Sequence, residues 1–122
     1  MNTVLWIIQG ILAAMFLMAG ISKSTQPIEK LLKSGISWAG RFPISTVRLI
    51  GFFELLGALG LILPWLLNFF PILTPIAAAA LALIMVFAIF HHLKHKEYKA
   101  IAFNFTLMAL ALFVAYGRFT SF

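Results

Sequence analysis

Four long apolar runs make up most of the chain, and they constrain its fold more than any other feature. They cover residues 4–21, 49–67, 72–90 and 100–116. Each run is close to the roughly 20 residues that an α-helix needs to cross a hydrocarbon core about 30 Å thick. Because backbone groups in lipid must hydrogen-bond within the chain, each run is expected to be helical. The sequence predicts a single all-α domain over residues 1–122, a polytopic membrane protein built as a four-transmembrane-helix bundle.

Composition supports lipid as the solvent and excludes several function classes. Hydrophobic residues make up 63% of the chain and charged residues 10%, whereas a soluble domain carries about 25% charged residues. The net charge of +6 lies beside the apolar runs. Membrane lipids are therefore the expected partners of this charge, and nucleic acid is not. The chain has no cysteine, which excludes thiol–disulfide exchange and thiolate-ligated metal centres.

The first apolar run is expected to remain in the protein instead of being cleaved as a signal peptide. Residues 1–3 carry no side-chain charge, and Lys23 follows the run. A signal peptide has the opposite order, with a positive segment before its apolar segment.

Basic residues are concentrated in the first and third connectors. They are Lys23, Lys30, Lys33, Arg41, Arg48, Lys94, Lys96 and Lys99. The second connector, residues 68–71, is uncharged, and Arg118 is the one charged side chain near the C-terminal end. The positive-inside rule then predicts that both basic connectors are cytoplasmic and that both termini are outside, in one orientation.

The first connector is expected to contain a short helix. Pro27 suits the first position of a helix. Apolar residues then recur at helical spacing, at Ile28, Leu31, Leu32 and Ile36. Two arrangements are compatible with this pattern. The helix either lies at the cytoplasmic interface, with Trp38 as an anchor, or packs across the mouth of the bundle.

Glu54 is the most informative polar residue. Counted from Arg48 at about 1.5 Å per residue, it lies roughly 9 Å into a half-bilayer of about 15 Å. Lys23, His92 and Asn104 approach the same layer from the other three runs. These five residues predict a polar pocket on the cytoplasmic side. Two interpretations remain open: a structural ion pair or network that ties helices together, and a ligand or proton site.

The opposite half of the bundle is expected to hold few polar side chains, namely Gln9, Asn68 and Thr74 near its edge. Gly51, Gly57 and Gly60 are interpreted as close-packing sites on the second helix.

No catalytic or metal site is predicted. His91 and His95 are four residues apart and share a helical face, but no convincing third ligand accompanies them. Nucleophile motifs and glycine-rich phosphate loops are also missing from the sequence.

Small, polar, proline and a few larger apolar residues recur along the chain in a recognisable order. They are Ala19, Gly20, Lys23, Arg48, Gly51, Glu54, Leu55, Gly57, Gly60, Leu61, Pro64, Pro71, Pro75, Ala77, Ala78, Met85, Ala88, His92, Glu97, Gly117 and Arg118. This order resembles the DoxX-like family of small four-helix membrane proteins. The resemblance implies a bundle in the bacterial inner membrane and marks Arg48 and Glu54 as signature positions. Members of the wider family look like subunits of quinone-linked oxidoreductases or thiol-stress complexes, or like assembly chaperones for ion channels.

Three functions follow as hypotheses. The leading one is a non-catalytic accessory or scaffold protein that holds a lipid, a quinone or a partner helix around Glu54, with another membrane protein or an oligomer as further partners. The second is a quinone-binding subunit of a membrane oxidoreductase, in which Glu54 accepts a proton and His92 or Asn104 bonds a carbonyl. The third is a small proton-coupled transporter, which the off-centre Glu54 and the one-sided loop charge disfavour.

Overall fold

The structure, a computed structural model, describes residues 2–121 and is helical almost throughout. Its elements are α1 (Asn2–Thr25), α2 (Ile28–Lys33), a 3-10 turn (Ser37–Arg41), α3 (Ile44–Leu66), α4 (Leu73–Lys94) and α5 (Tyr98–Phe119). Four of these helices, α1, α3, α4 and α5, are long and apolar enough to cross a membrane. The predicted all-α bundle of four membrane-spanning helices is confirmed.

The spanning helices are longer than the apolar runs at the end where the first and third connectors lie. There α1 continues to Thr25 instead of residue 21, and α3 begins at Ile44 instead of residue 49. Hydropathy falls at the first charged residues, whereas helical hydrogen bonding continues through them. We call this the basic end. The opposite end, which holds both termini and the turn between α3 and α4, is called the terminal end.

The helices pack in the ring order α1, α3, α4, α5, and small residues set their closest approaches. At the basic end α1 crosses α3 so tightly that a Cβ added at Gly51 would lie 2.7 Å from the Lys23 Cβ and 2.8 Å from the Ser24 nitrogen. At the terminal end a Cβ at Gly60 of α3 would lie 2.7 Å from the Ala77 Cβ of α4. Both glycines are therefore close-packing sites, as predicted.

The core and the exterior of the bundle are both apolar. The core is formed by Leu12, Phe16, Ala58, Leu61, Ala78, Leu81, Ala82, Met85, Leu107, Ala111, Val114 and Ala115. Large side chains such as Phe52, Phe90 and Phe105 are more than half exposed on the outward faces. Such an apolar exterior is suited to lipid and not to water.

The first connector folds over the basic end. Pro27 precedes α2 as its N-cap, one position before the predicted one. Leu31 and Ala39 are fully buried and pack with Val47 of α3. Gly35 has a φ of +91°, a left-handed conformation that glycine adopts without strain, just after α2 ends. Leu31 of α2 thus packs against the 3-10 turn and Val47, and the position of this helix relative to a membrane interface stays a prediction.

Candidate functional site

An ion pair between Lys23 and Glu54 joins α1 to α3 near the basic end. The Lys23 Nζ lies 2.7 Å from the Glu54 Oε1, and their side chains are 12% and 2% exposed. The same ammonium lies 5.2 Å from the ring centroid of Trp38, which is within the range of a cation–π contact. The carboxylate predicted to need a partner in the membrane is thus paired with a lysine from the neighbouring helix.

Arg48 bonds the main chain of Lys23 and makes no hydrogen bond or ion pair with Glu54. Its Nη1 donates to the main-chain oxygen of Lys23 at 2.9 Å. That carbonyl belongs to the last turn of α1, where main-chain oxygens have no partner within the helix. The positive guanidinium also complements the negative end of the helix dipole. Arg48 therefore fixes the end of α1, and through it the position of Lys23.

Beside the ion pair lies a cleft of about 560 Å³, with walls from all four spanning helices and the first connector. Its polar lining residues are Lys23, Glu54, His91, His92 and Asn104, and its larger apolar ones are Ile36, Trp38, Phe42, Ile50, Ile84, Met85, Phe87 and Phe103. Four of the five residues predicted for a polar pocket line this cleft, and Arg48 does not. The volume is within the range of small-molecule sites.

Asn104 lies on α5, one turn or so from its start, and lines the cleft half-buried. Its amide makes no side-chain hydrogen bond to any residue between 2 and 121. A primary amide has two N–H donors and a carbonyl acceptor. In a membrane span such groups are costly to leave without partners. Asn104 thus presents unused hydrogen-bonding capacity to the cleft.

Glu97 orients a second set of side chains at the cleft. It accepts from Arg41 at 2.8 Å and 3.2 Å in a two-pronged ion pair, and it lies 3.0 Å from the Nδ1 of His92. The hydrogen bonds from Arg41 and His92 lower the pKa of Glu97 from 4.5 to about 2. The carboxylate is therefore ionised near neutral pH and only accepts hydrogen bonds.

This arrangement sets the tautomer of His92. Because Glu97 accepts, the His92 Nδ1 carries the proton, and in the neutral ring Nε2 is left as an acceptor. His91 is held in a related way, since its Nε2 lies 3.0 Å from the Arg41 Nη1 and arginine can only donate. His92 is 6% exposed and lines the cleft. The cleft therefore combines donors at Lys23 and Asn104 with the His92 ring, whose Nε2 is an acceptor when the ring is neutral.

A second polar cluster lies at the terminal end, and the sequence interpretation missed it. Arg118 is 1% exposed. Its Nε donates to the Gln9 Oε1 at 2.6 Å and its Nη1 to the Asn2 Oδ1 at 2.8 Å. The Gln9 Nε2 donates in turn to the Leu61 main-chain oxygen at 2.6 Å. The expectation that this half holds only edge residues such as Gln9, Asn68 and Thr74 is wrong.

The miss has a physical cause. The fourth apolar run ends at residue 116, which places Arg118 beyond the predicted span, but α5 continues to Phe119. Arg118 then follows Leu107, Ala111 and Val114 on the buried stripe of the helix. The spacing of three and four residues was the available signal, because it places these side chains on one helical face.

Thr74 links α4 to α3 at the terminal end by bonding a main-chain oxygen that Pro64 leaves without a donor. Proline has no N–H, so Pro64 cannot bond the main-chain oxygen of Gly60, four residues earlier in α3. The Thr74 hydroxyl of α4 donates to that oxygen at 2.9 Å. Thr74 is fully buried, whereas Asn68 is exposed in the turn with a φ of 51°.

The comparisons with known proteins identify a family. The sequence model of the DoxX-like family matches residues 7–114, which is most of the chain. No curated protein and no solved structure gives a significant match. The matched segment includes every residue that lines the cleft, and it leaves out Asn2 and Arg118. With four helices suited to spanning a membrane, the chain is a multi-pass membrane protein that belongs to the DoxX-like family.

Proposed function

We propose that this protein is a non-catalytic accessory protein of the bacterial inner membrane that holds an amphiphilic ligand, a lipid or a quinone, in the cleft at its basic end. The observation that carries the proposal is the unpartnered Asn104 amide, beside the Lys23–Glu54 ion pair, on the wall of an otherwise apolar cleft. Ligand sites are typically apolar with a few convergent polar groups that fix orientation.

The polar groups define the head group that the cleft accepts. Lys23 has two ammonium hydrogens besides the one directed at Glu54, and the Asn104 amide has two donors, so a ligand oxygen finds donors there. The His92 Nε2 accepts a hydrogen bond from a ligand hydroxyl or amine. The ligand's apolar part would lie along Ile84, Phe87 and Phe103.

The ion pair favours a holding role over acid–base catalysis. Glu54 is engaged by Lys23 at 2.7 Å, and the Glu97 carboxylate is engaged by Arg41 and His92. A scaffold role is compatible with the same cleft, since a partner helix with a polar residue could occupy it.

Native mass spectrometry of protein extracted in mild detergent tests the proposal. We expect wild type to carry a lipid or quinone and Asn104→Leu to lose it, because the ligand's polar head loses its amide partner. Thr106→Val is the matched control, since Thr106 lies on the exposed face of α5 and bonds its own helix. Equal ligand occupancy in all three proteins, or an empty wild type, would refute the proposal.

The second candidate is a quinone-binding subunit of an oxidoreductase. It is favoured because hydrogen-bond donors (Lys23 and Asn104) and an acceptor (His92) line the same cleft. A quinone carbonyl suits Lys23 or Asn104, and a quinol hydroxyl suits His92. Electrons would have to come from a partner subunit. Isolation of the native complex decides between the two, because a co-purifying redox subunit supports this candidate and its consistent absence supports the accessory role.

We propose that the basic end faces the cytoplasm and that both termini lie outside, on the strength of the eight basic residues at that end. The chain has no cysteine, so single introduced cysteines report their side without background. Ser34 and Ser121 are exposed at the two ends. In intact cells an impermeant maleimide should label Ser121→Cys and not Ser34→Cys; the reverse pattern would invert the orientation.

A further inference from the structure

Arg118 is a buried cation that the cleft at the basic end does not use. It is 1% exposed, and its guanidinium carbon lies 4.6 Å from the ring centroid of Trp65 and 5.3 Å from that of Trp6. Its hydrogen-bond acceptors, Gln9 and Asn2, are neutral amides. Two aromatic faces and two amides stabilise a positive charge, but they do not neutralise it.

The acidic side chains of this protein are all placed elsewhere. They are Glu29, Glu54 and Glu97. Glu29 lies on α2, Glu54 pairs with Lys23, and Glu97 pairs with Arg41, all toward the basic end. Arg118 lies at the terminal end of the bundle, in the last turn of α5. No acidic side chain of its own chain is therefore positioned to balance it.

One guanidinium nitrogen also lacks a hydrogen-bond partner. Within residues 2–121, Nε and Nη1 donate to Gln9 and Asn2, whereas Nη2 is buried and has no hydrogen-bond partner. An unsatisfied buried donor is costly, and more so on a charged group. Nη1 and Nη2 together form the end of the guanidinium fork, which matches the oxygens of a phosphate or carboxylate.

Of the two amides bonded to Arg118, that of Asn2 can be displaced by a ligand more easily than that of Gln9. Asn2 is exposed and lies at the first described position of α1, and the side-chain bond given for it is the one from Arg118. Gln9, by contrast, is fully buried and anchored to the main chain of α3. Trp6 and Trp65 are half-buried beside the guanidinium. Tryptophan is enriched at the level of the lipid head groups, where phosphate is plentiful.

We propose that Arg118 binds a phosphate group, supplied by a lipid head group or by free phosphate, which takes the place of the Asn2 amide. The phosphate oxygens accept from Nη1 and Nη2, so the orphaned donor is satisfied and the charge is neutralised. The bond from Nε to Gln9 stays in place and holds the guanidinium in the same orientation. The site is separate from the cleft, and it does not depend on the function proposed above.

The experiment compares binding of three probes by native mass spectrometry and thermal unfolding in neutral detergent. The probes are phosphatidylglycerol, diacylglycerol as a lipid without phosphate, and inorganic phosphate. We expect wild type to retain one phosphatidylglycerol that Arg118→Gln lacks. Lys99→Gln is the matched control, because it removes a cation from the exposed other end of the same helix and should keep this lipid.

A second variant keeps the test decisive if Arg118→Gln does not fold. Asn2→Asp places a carboxylate where the amide oxygen now lies 2.8 Å from Nη1. It should weaken phosphatidylglycerol binding by about tenfold or more, since a charge-assisted bond occupies the site, while raising the unfolding temperature without lipid. Stabilisation of wild type by inorganic phosphate, with no phosphatidylglycerol retained, would assign the source to free phosphate. Undiminished phosphatidylglycerol binding in Asn2→Asp, or equal binding of diacylglycerol, would overturn the proposal.

Discussion

The Lys23 ammonium lies 2.7 Å from the Glu54 carboxylate, next to the tight crossing of α1 and α3 at Gly51. Both charges are largely withdrawn from solvent, so each depends on the other. The pair also forms part of the cleft wall. Loss of this ion pair is therefore expected to change both the stability of the bundle and the polar lining of the cleft.

Glu54→Gln should destabilise the protein strongly. Removing one partner of a buried ion pair leaves the other charge uncompensated, at a cost of about 3–5 kcal/mol. Adding Lys23→Met should recover most of the loss, because no unpaired charge then remains. Reversible unfolding in detergent measures both variants, and Glu29→Gln, on the exposed surface of α2, is the control. A Glu54→Gln protein as stable as wild type would contradict the ion-pair interpretation.

Gly51→Ala should weaken the contact between α1 and α3. The added methyl group would lie 2.7 Å from the Lys23 Cβ and 2.8 Å from the Ser24 main-chain nitrogen, so the helices must separate. We expect a loss of about 1–3 kcal/mol, as for other overpacked sites. Gly10→Ala is the matched control, since nothing lies within 4 Å of its added Cβ. That variant should be neutral or slightly stabilising, and equal losses in the two would count against close packing at Gly51.

Thr74→Val should cost about 1–3 kcal/mol, because the Gly60 main-chain oxygen loses the hydroxyl at 2.9 Å that replaces the missing proline N–H. Restoring that N–H with Pro64→Ala should make Thr74→Val nearly harmless. The double-mutant cycle measures this coupling. Thr106→Val, whose hydroxyl bonds its own helix on the exposed surface, should have little effect in either background. Additive losses at Pro64 and Thr74 would show that the two residues act independently.

Glu97 should make the connector over the cleft sensitive to acid. Its pKa is about 2 in the folded protein against an ordinary 4.5. A lowered folded pKa means that ionised Glu97 stabilises the fold fully above pH 4.5 and progressively less as the pH falls toward 2.

The difference in unfolding temperature between wild type and Glu97→Gln measures this contribution. It should be constant near neutral pH and shrink through that acid window. Glu29→Gln, which removes an exposed carboxylate from α2, provides the comparison. A difference that is unchanged down to pH 2.5, or absent at pH 7, would contradict the proposed role of the Arg41 and His92 contacts.

The architecture and the chemical character of the basic end follow from the amino-acid sequence without any tertiary information. The length of an apolar run specifies a spanning helix whatever its neighbours are, because lipid leaves the backbone no other partner. The charged and polar residues at one end of each run were therefore expected in one layer, and Lys23, Glu54, His92 and Asn104 line one cleft. The first connector could not be assigned from its pattern, since an amphipathic helix suits an interface and a bundle mouth equally well.

The pairing of the polar groups, in contrast, depends on how the helices pack in three dimensions. Arg48 and Lys23 were both within reach of Glu54 by counting residues, but the tight crossing at Gly51 turns Lys23 toward the carboxylate and Arg48 toward the end of α1. The burial of Arg118 likewise depends on α5 continuing to Phe119 and packing against Gln9. Hydrogen bonds and ion pairs require positions accurate to fractions of an ångström. Helix rotation and close approach set those positions, and a one-dimensional pattern of apolar and polar residues does not contain them.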